Sequence, residues 1–188
     1  IMFILAKHLK EQGELKDNMV VSTVMSNIGF YKAVEENGLQ SVKTAVGDRY
    51  VVEEMRKNDY SLGGEQSGHI VLMNYATTGD GILTAVKLAN IIKTSGKSLE
   101  ELASEVNIYP QKLVNIKVVD KKTAMEDAEI LAECEKVEKE LEGNGRILLR
   151  ASGTENLIRV MVEASSDELT DKYCEQVAKI VREKFEVK

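Results

Sequence analysis

The sequence predicts an α/β protein: a three-layer α/β domain with a mixed sheet, then a small α+β domain with helices on one face of a mainly antiparallel sheet. Three observations lead there. Up to about residue 107, β-branched runs of strand length alternate with amphipathic segments of helical period, the pattern of parallel strands joined by helices. The chain's single proline, in NIYPQ (107–111), then forbids helix and extends its neighbour. Beyond it the order becomes strand, helix, strand, strand, helix, with a hairpin between the paired strands. The boundary is therefore expected to divide residues 1–107 from residues 108–188. The second part, about 80 residues, is small but large enough to hold a core.

The elements follow in order. IMFILAKHLK opens an apolar helix that runs to Gly13, with no cap at its start and no initiator Met, as expected of a chain cut from something longer. MVVSTVM (19–25) has the length and β-branching of a strand. IGFYKAVEENG (28–38) reads as a short helix stopped by Gly38, and LQSVKTAV (39–46) as a strand. GDR (47–49) is a loop before a helix over 50–59, and HIVLMNY (69–75) is a strand. The strongest helix signal covers 78–96, where Ile82, Val86, Ala89 and Ile92 recur near helical spacing. A further helix over 97–106 is capped by Ser98, with Glu101 three residues on. After the proline come a strand over 112–120, one long charged helix over 124–143, strands over 146–150 and 157–164, and a helix over 168–185.

Composition excludes several function classes. With a net charge of −6, no tryptophan and 5% aromatics, neither broad electrostatic capture of nucleic acid nor a base-stacking platform is expected. Any anion site must be local. No apolar run approaches the ~20 residues of a membrane span, and the start has no signal-peptide cleavage pattern. Cys134 and Cys174 fit no zinc or CxxC spacing and read as free thiols, which suits a reducing cytoplasm. Nucleotide fingerprints of the GxGxxG and Walker types are absent.

Four short stretches carry chemistry. In RASGTENLIR (150–159), Ser152, Thr154 and Asn156 supply side-chain donors, and Gly153 lets backbone N–H groups converge on an anion. Arg150 and Arg159 flank the turn, and strand alternation sets Arg159 on the face opposite Ile158, Val160 and Val162. An ordinary hairpin turn with two solvated arginines is the alternative. GGEQSGH (63–69) gathers Glu65, Gln66, Ser67 and His69 in a glycine-rich loop, suited to sugar hydroxyls and to a proton near neutral pH, or else a polar turn in water. In VGDRY (46–50), Asp48 caps a helix or lines a site, and Arg49 holds an anion or stays in solvent. TTGDG (77–81) reads as a helix start. His8 has no partner pattern.

Taken together and in this order, VGDRY, GGEQSGH, TTGDG and RASGTENLIR resemble the α-D-phosphohexomutase family, in its branch acting on glucosamine phosphate. The resemblance covers nearly the whole chain and identifies it with most of the family's third domain, N-terminally truncated, and all of its fourth. It implies sugar contacts at Glu65 and Ser67, a proton carrier at His69, and a cleft loop at Asp48 and Arg49. It further implies a grip on the non-reacting phosphate by Arg150, Ser152, Gly153, Thr154 and Arg159. The implied reaction moves phosphate between positions 6 and 1 through a phosphoserine enzyme and a bisphosphate, with Mg2+. The implied partners are a phosphosugar and the family's N-terminal domains, with room for a homodimer of the full-length enzyme, and no nucleic acid or membrane. Asn156 departs from the family, which usually has proline there, so the loop's φ is less fixed. The phosphoserine and metal loops would precede residue 1, so no metal ligand is expected here and the chain alone is expected to be inactive. A sister mutase for glucose or mannose phosphate, or a non-catalytic phosphosugar-binding module, would carry the same loops.

Overall fold

The computed structural model describes residues 1–187, which divide into two compact units, residues 1–108 and 109–187. The first unit contains α1 (Met2–Glu11), β1 (Met19–Thr23), α2 (Ile28–Glu36), β2 (Gln40–Thr44), α3 (Asp48–Asn58), β3 (Leu62–Gly64), β4 (Ile70–Leu72), α4 (Gly81–Ser95) and α5 (Leu99–Ala103). Its sheet runs β2-β1-β3-β4, with β1 parallel to β2 and β3, and β4 antiparallel to β3. Every residue of β1 is buried, as expected of a strand covered on both faces. Val20 points into a core built with α1, α2 and α4, while Val21 points into a second core with Val51 and Met55 of α3. The result is three layers. Because the three strands are parallel, the loops that follow β1, β2 and β3 emerge at one end of the sheet, where ligands of open α/β sheets bind.

Several sequence expectations need correction. Gly63 and Gly64 do not belong to a loop. They form most of β3, between β1 and β4. A Cβ on Gly63 would lie 2.5 Å from Met55 Sδ and 2.8 Å from Val51 Cγ1, and one on Gly64 would lie 2.5 Å from the His69 carbonyl oxygen. Glycine is there for close packing, which hid a strand in a turn-like sequence. Asp48 and Arg49 begin α3 rather than a loop, with Gly47 at the cap position. The stripe that revealed α4 faces outward: Ile82 is 80% and Val86 62% exposed, while Thr84 and Ile91 are buried. Most of that helix's circumference is apolar, so its period located the helix but not its inner face.

The second unit contains β5 (Gln111–Lys117), α6 (Lys121–Met125), α7 (Ala128–Glu140), β6 (Arg146–Ala151), β7 (Leu157–Glu163) and α8 (Asp167–Phe185). Its sheet is antiparallel in the order β5-β7-β6. Ile158, Val160 and Val162 of β7 pack with Ile130 and Val137 of α7 and Val177 and Val181 of α8, leaving the other sheet face without helices. The single helix expected over 124–143 is two. The Asp127 carboxylate accepts from the Glu129 and Ile130 N–H groups, each at 3.1 Å, and starts α7 afresh. On the opposite face Arg146 forks onto Glu163, with Nε to Oε2 at 2.7 Å and a second bond at 3.1 Å. That carboxylate is fully buried.

Candidate functional site

In the first unit the loops after β2 and β3 meet. The Glu65 carboxylate accepts from the Gly47 N–H at 3.1 Å, tying the start of α3 to the 65–69 turn. That turn is closed by Glu65 N–H to the His69 carbonyl at 2.8 Å and Gly68 N–H to the Glu65 carbonyl at 3.0 Å, with Gly68 at φ +98°. His69 Nε2 stands 3.5 Å from Asp48 Oδ2, close enough for an ion pair once the imidazole is protonated. It makes no hydrogen bond with any described residue, although the nitrogen itself is buried. The ring rests on Gly79, where a Cβ would come within 2.4 Å of Cε1 and Nε2. Ser67 is exposed at the turn's apex. Arg49 turns to solvent and pairs with Glu53 at 2.7 Å, one turn along α3.

Two residues of this region were not assigned from sequence. Gln66 lies with its Oε1 3.4 Å from Thr23 Oγ1 at the end of β1, joining the third parallel-strand terminus to the loop. Gly79 seats the histidine. Gln66 was visible inside its motif, but the role of Gly79 is a contact across the fold and had no local signal.

In the second unit Arg150 and Arg159 are direct cross-strand partners on the sheet face opposite α7 and α8. Like charges in that position repel. Burial, and after it the charge of Arg159, lower the Arg150 pKa from its ordinary value, yet a guanidinium stays charged at neutral pH. Arg159 Nε is buried and finds no acceptor among the described residues. Ser152 is buried, its N–H donating to the Leu157 carbonyl at 2.9 Å and its hydroxyl accepting from Glu155 N–H at 3.4 Å. The N–H groups of Gly153 and Thr154, both exposed residues, have no partner among the described residues. Two guanidiniums and two free N–H groups thus surround one short loop, and among the described residues no carboxylate is bonded to either arginine. Such a set lowers its own repulsion by taking an anion. Lys121 also reaches the loop, donating from Nζ to the Ser152 carbonyl at 2.8 Å.

No group of three or more His, Cys, Asp or Glu side chains placed to hold a metal ion occurs among the described residues. No helix among them is long and apolar enough to cross a membrane.

Comparison with known proteins agrees with this division of the chain. Residues 1–109 match the family described as phosphoglucomutase/phosphomannomutase, alpha/beta/alpha domain III, and residues 113–180 match its C-terminal domain. A phosphoglucosamine mutase of Anoxybacillus flavithermus is 61% identical over 98% of this chain, and one of Geobacillus kaustophilus is 58% identical over 100% of this chain. The chain spans only 41% and 42% of those two proteins. Among solved structures, an N-acetylphosphoglucosamine mutase of Aspergillus fumigatus superposes with a TM-score of 0.82 at 21% identity, over 97% of this chain and 42% of its own. The same fungal enzyme in complex with GlcNAc-6P and magnesium gives 0.78 at 20% identity, over 96% of this chain and 45% of that one. At those identities the likeness is one of fold. The sequence relatives and the two matched domains establish the family: the chain belongs to the phosphoglucomutase/phosphomannomutase group of phosphohexomutases.

Proposed function

We propose that this chain is the substrate-holding C-terminal part of a phosphoglucosamine mutase, which interconverts glucosamine 6-phosphate and glucosamine 1-phosphate and so supplies amino-sugar and cell-wall precursor synthesis. In that reaction a phosphoserine gives its phosphoryl group to a sugar hydroxyl, and the bisphosphate returns its other phosphoryl group to the serine. The serine belongs to N-terminal domains of the same protein. In this chain Glu65 and Ser67 receive sugar hydroxyls, with Asp48 and Arg49 at the edge of that loop. His69 takes the proton that the attacking hydroxyl releases. Arg150, Arg159, the N–H groups of Gly153 and Thr154, and the proton of the Ser152 hydroxyl hold the phosphate that is not reacting. Because the intermediate binds in two orientations, this grip must accept phosphate on either position, which charge and backbone donors do without reading the sugar. Among the described residues no side-chain cluster fits a divalent cation; the Mg2+ of the full-length enzyme would be held by its N-terminal domains.

The observation that carries the reading is the buried, unpartnered Arg159 Nε beside the like charge of Arg150. Relatives at 57–61% identity bear the glucosamine name, which favours that sugar over glucose or mannose phosphate. In the full-length enzyme, Arg150→Ala and Arg159→Ala should each weaken both phosphosugars by roughly 2–5 kcal/mol, the loss expected for one partner of a desolvated charged contact. Calorimetry with each isomer decides it. Unchanged affinities for both would reduce the loop to an ordinary hairpin turn.

A further inference from the structure

Lys121 is the first residue of α6 and lies outside the motif loops, yet its ammonium sits 2.8 Å from the Ser152 carbonyl oxygen, 31 residues away in sequence. Its position is itself held. The Asp120 side chain caps α6, accepting from Lys122 N–H at 2.9 Å and from the Thr123 hydroxyl at 2.5 Å. Ala124 and Met125 then anchor the helix in the core on the covered side of the sheet. Lys121 therefore approaches the loop from the helix side. Leu149, Ala151, Ile158 and Val160 face that same core, so by strand alternation Arg150 and Arg159 project to the other side.

The peptide linking Ser152 to Gly153 joins these facts. The described chain has no cis peptide, and in a trans peptide the C=O and the following N–H point in opposite directions. A carbonyl drawn toward Lys121 turns the Gly153 N–H away from α6. Among the described residues this peptide's carbonyl and N–H make no other hydrogen bond. A Cβ on Gly153 would meet no atom within 4 Å, and neither its N–H nor that of Thr154 is bonded. Glycine leaves the plane free to rotate, and Asn156 does not stiffen the loop as proline would.

We propose that Lys121 is a positioning residue for the anion loop, latching the Ser152 carbonyl so that the Gly153 N–H is presented to phosphate. The inference rests on the reading of residues 150–159 as a phosphate grip. Lys121 need not touch the ligand. It removes one of two peptide orientations before the ligand arrives, which is preorganisation.

The test uses the isotope-labelled 188-residue chain, titrated with inorganic phosphate and with glucosamine 6-phosphate while the Gly153 and Thr154 amide resonances are followed. In the wild type both amides should shift, and Arg150→Ala should abolish the response. Lys121→Met should leave the strand resonances in place, move the free-state Gly153 amide, and weaken phosphate about 3- to 10-fold, as for one charged hydrogen bond at a half-exposed site. Lys121→Arg, which keeps a charged donor, should restore affinity to within about twofold. If the wild-type amides do not respond and Arg150→Ala changes nothing, the phosphate reading falls and the inference with it. If the wild type responds and Lys121→Met matches it in affinity and in Gly153 shift, only the latch is overturned. Weakened binding with an unmoved Gly153 resonance would also overturn the latch, leaving Lys121 a remote charge.

Discussion

In the first unit the polar groups near residues 65–69 are tied to one another. Glu65 holds Gly47, Gln66 meets Thr23, and His69 stands against Asp48. In the second unit the loop after β6 instead abuts two like charges and leaves a buried guanidinium nitrogen and two backbone N–H groups without acceptors among the described residues. The first arrangement mixes acids with an imidazole and leaves the buried His69 Nε2 without a hydrogen-bond partner among the described residues, which suits neutral hydroxyls and a proton in transit. The second is one-signed and internally opposed, which suits an anion. A site's unmet hydrogen bonds thus describe its ligand more sharply than the residues it contains.

The contrast is breakable, and the largest expected effect is on turnover. In the full-length enzyme His69→Ala should lower kcat by about 10²–10⁴-fold with substrate affinity nearly kept, the size of a lost proton-transfer step. A pure affinity defect would make both regions binding surfaces and erase the distinction. A smaller effect separates them by salt. Glu65→Gln should weaken the sugar by roughly 1.5–3 kcal/mol, and that loss should be the same at low and high ionic strength. Affinity gained through Arg150 and Arg159 should decline as salt rises, since their charges are only partly shielded from solvent. Calorimetric titrations of each variant at two salt concentrations compare the slopes, and equal slopes would contradict the assignment.

The smallest effect concerns stability and belongs to the second unit alone, which holds both cysteines. Burial pushes the Cys134 and Cys174 thiols up to about 11 from an ordinary value of 9.0. A raised thiol pKa favours the protonated, folded form. Its contribution is complete below pH 9.0 and is lost as pH rises through about 11. The folded chain should react slowly with thiol reagents at a pH of about 8. Denaturant midpoints measured below and within the titrating window should fall less in a Cys134→Ala/Cys174→Ala variant than in the wild type. An identical fall in both proteins would show that the thiols carry none of it.

The alternation of strands and helices was legible because each long element repeats its own period, and the motif loops because each concentrates several donors in a few positions. What escaped the sequence depends on distance. Leu62, Gly63 and Gly64 carry no strand propensity, and β3 exists because β1 and β4 flank it and α3 lies too close for a side chain. Asp127 looks like one more surface acid on a charged helix until its carboxylate is seen holding two N–H groups. Gly79 and Lys121 belong to their sites only through contacts with His69 and Ser152 that no local pattern encodes.

The Arg146–Glu163 fork has a consequence for the far end of its hairpin. These residues are partners in the β6–β7 ladder, as are Arg150 and Arg159 four residues along. A slip of one residue would turn every side chain of a strand to the opposite face, driving Arg150 or Arg159 into the helix-packed core and parting a buried carboxylate from its guanidinium. Separating such a pair costs about 3–5 kcal/mol, so the slipped alignments are penalised at both ends together. The hairpin behaves as a ruler whose zero mark is Arg146: the spacing of the two arginines at the loop is calibrated by an ion pair that never meets the ligand.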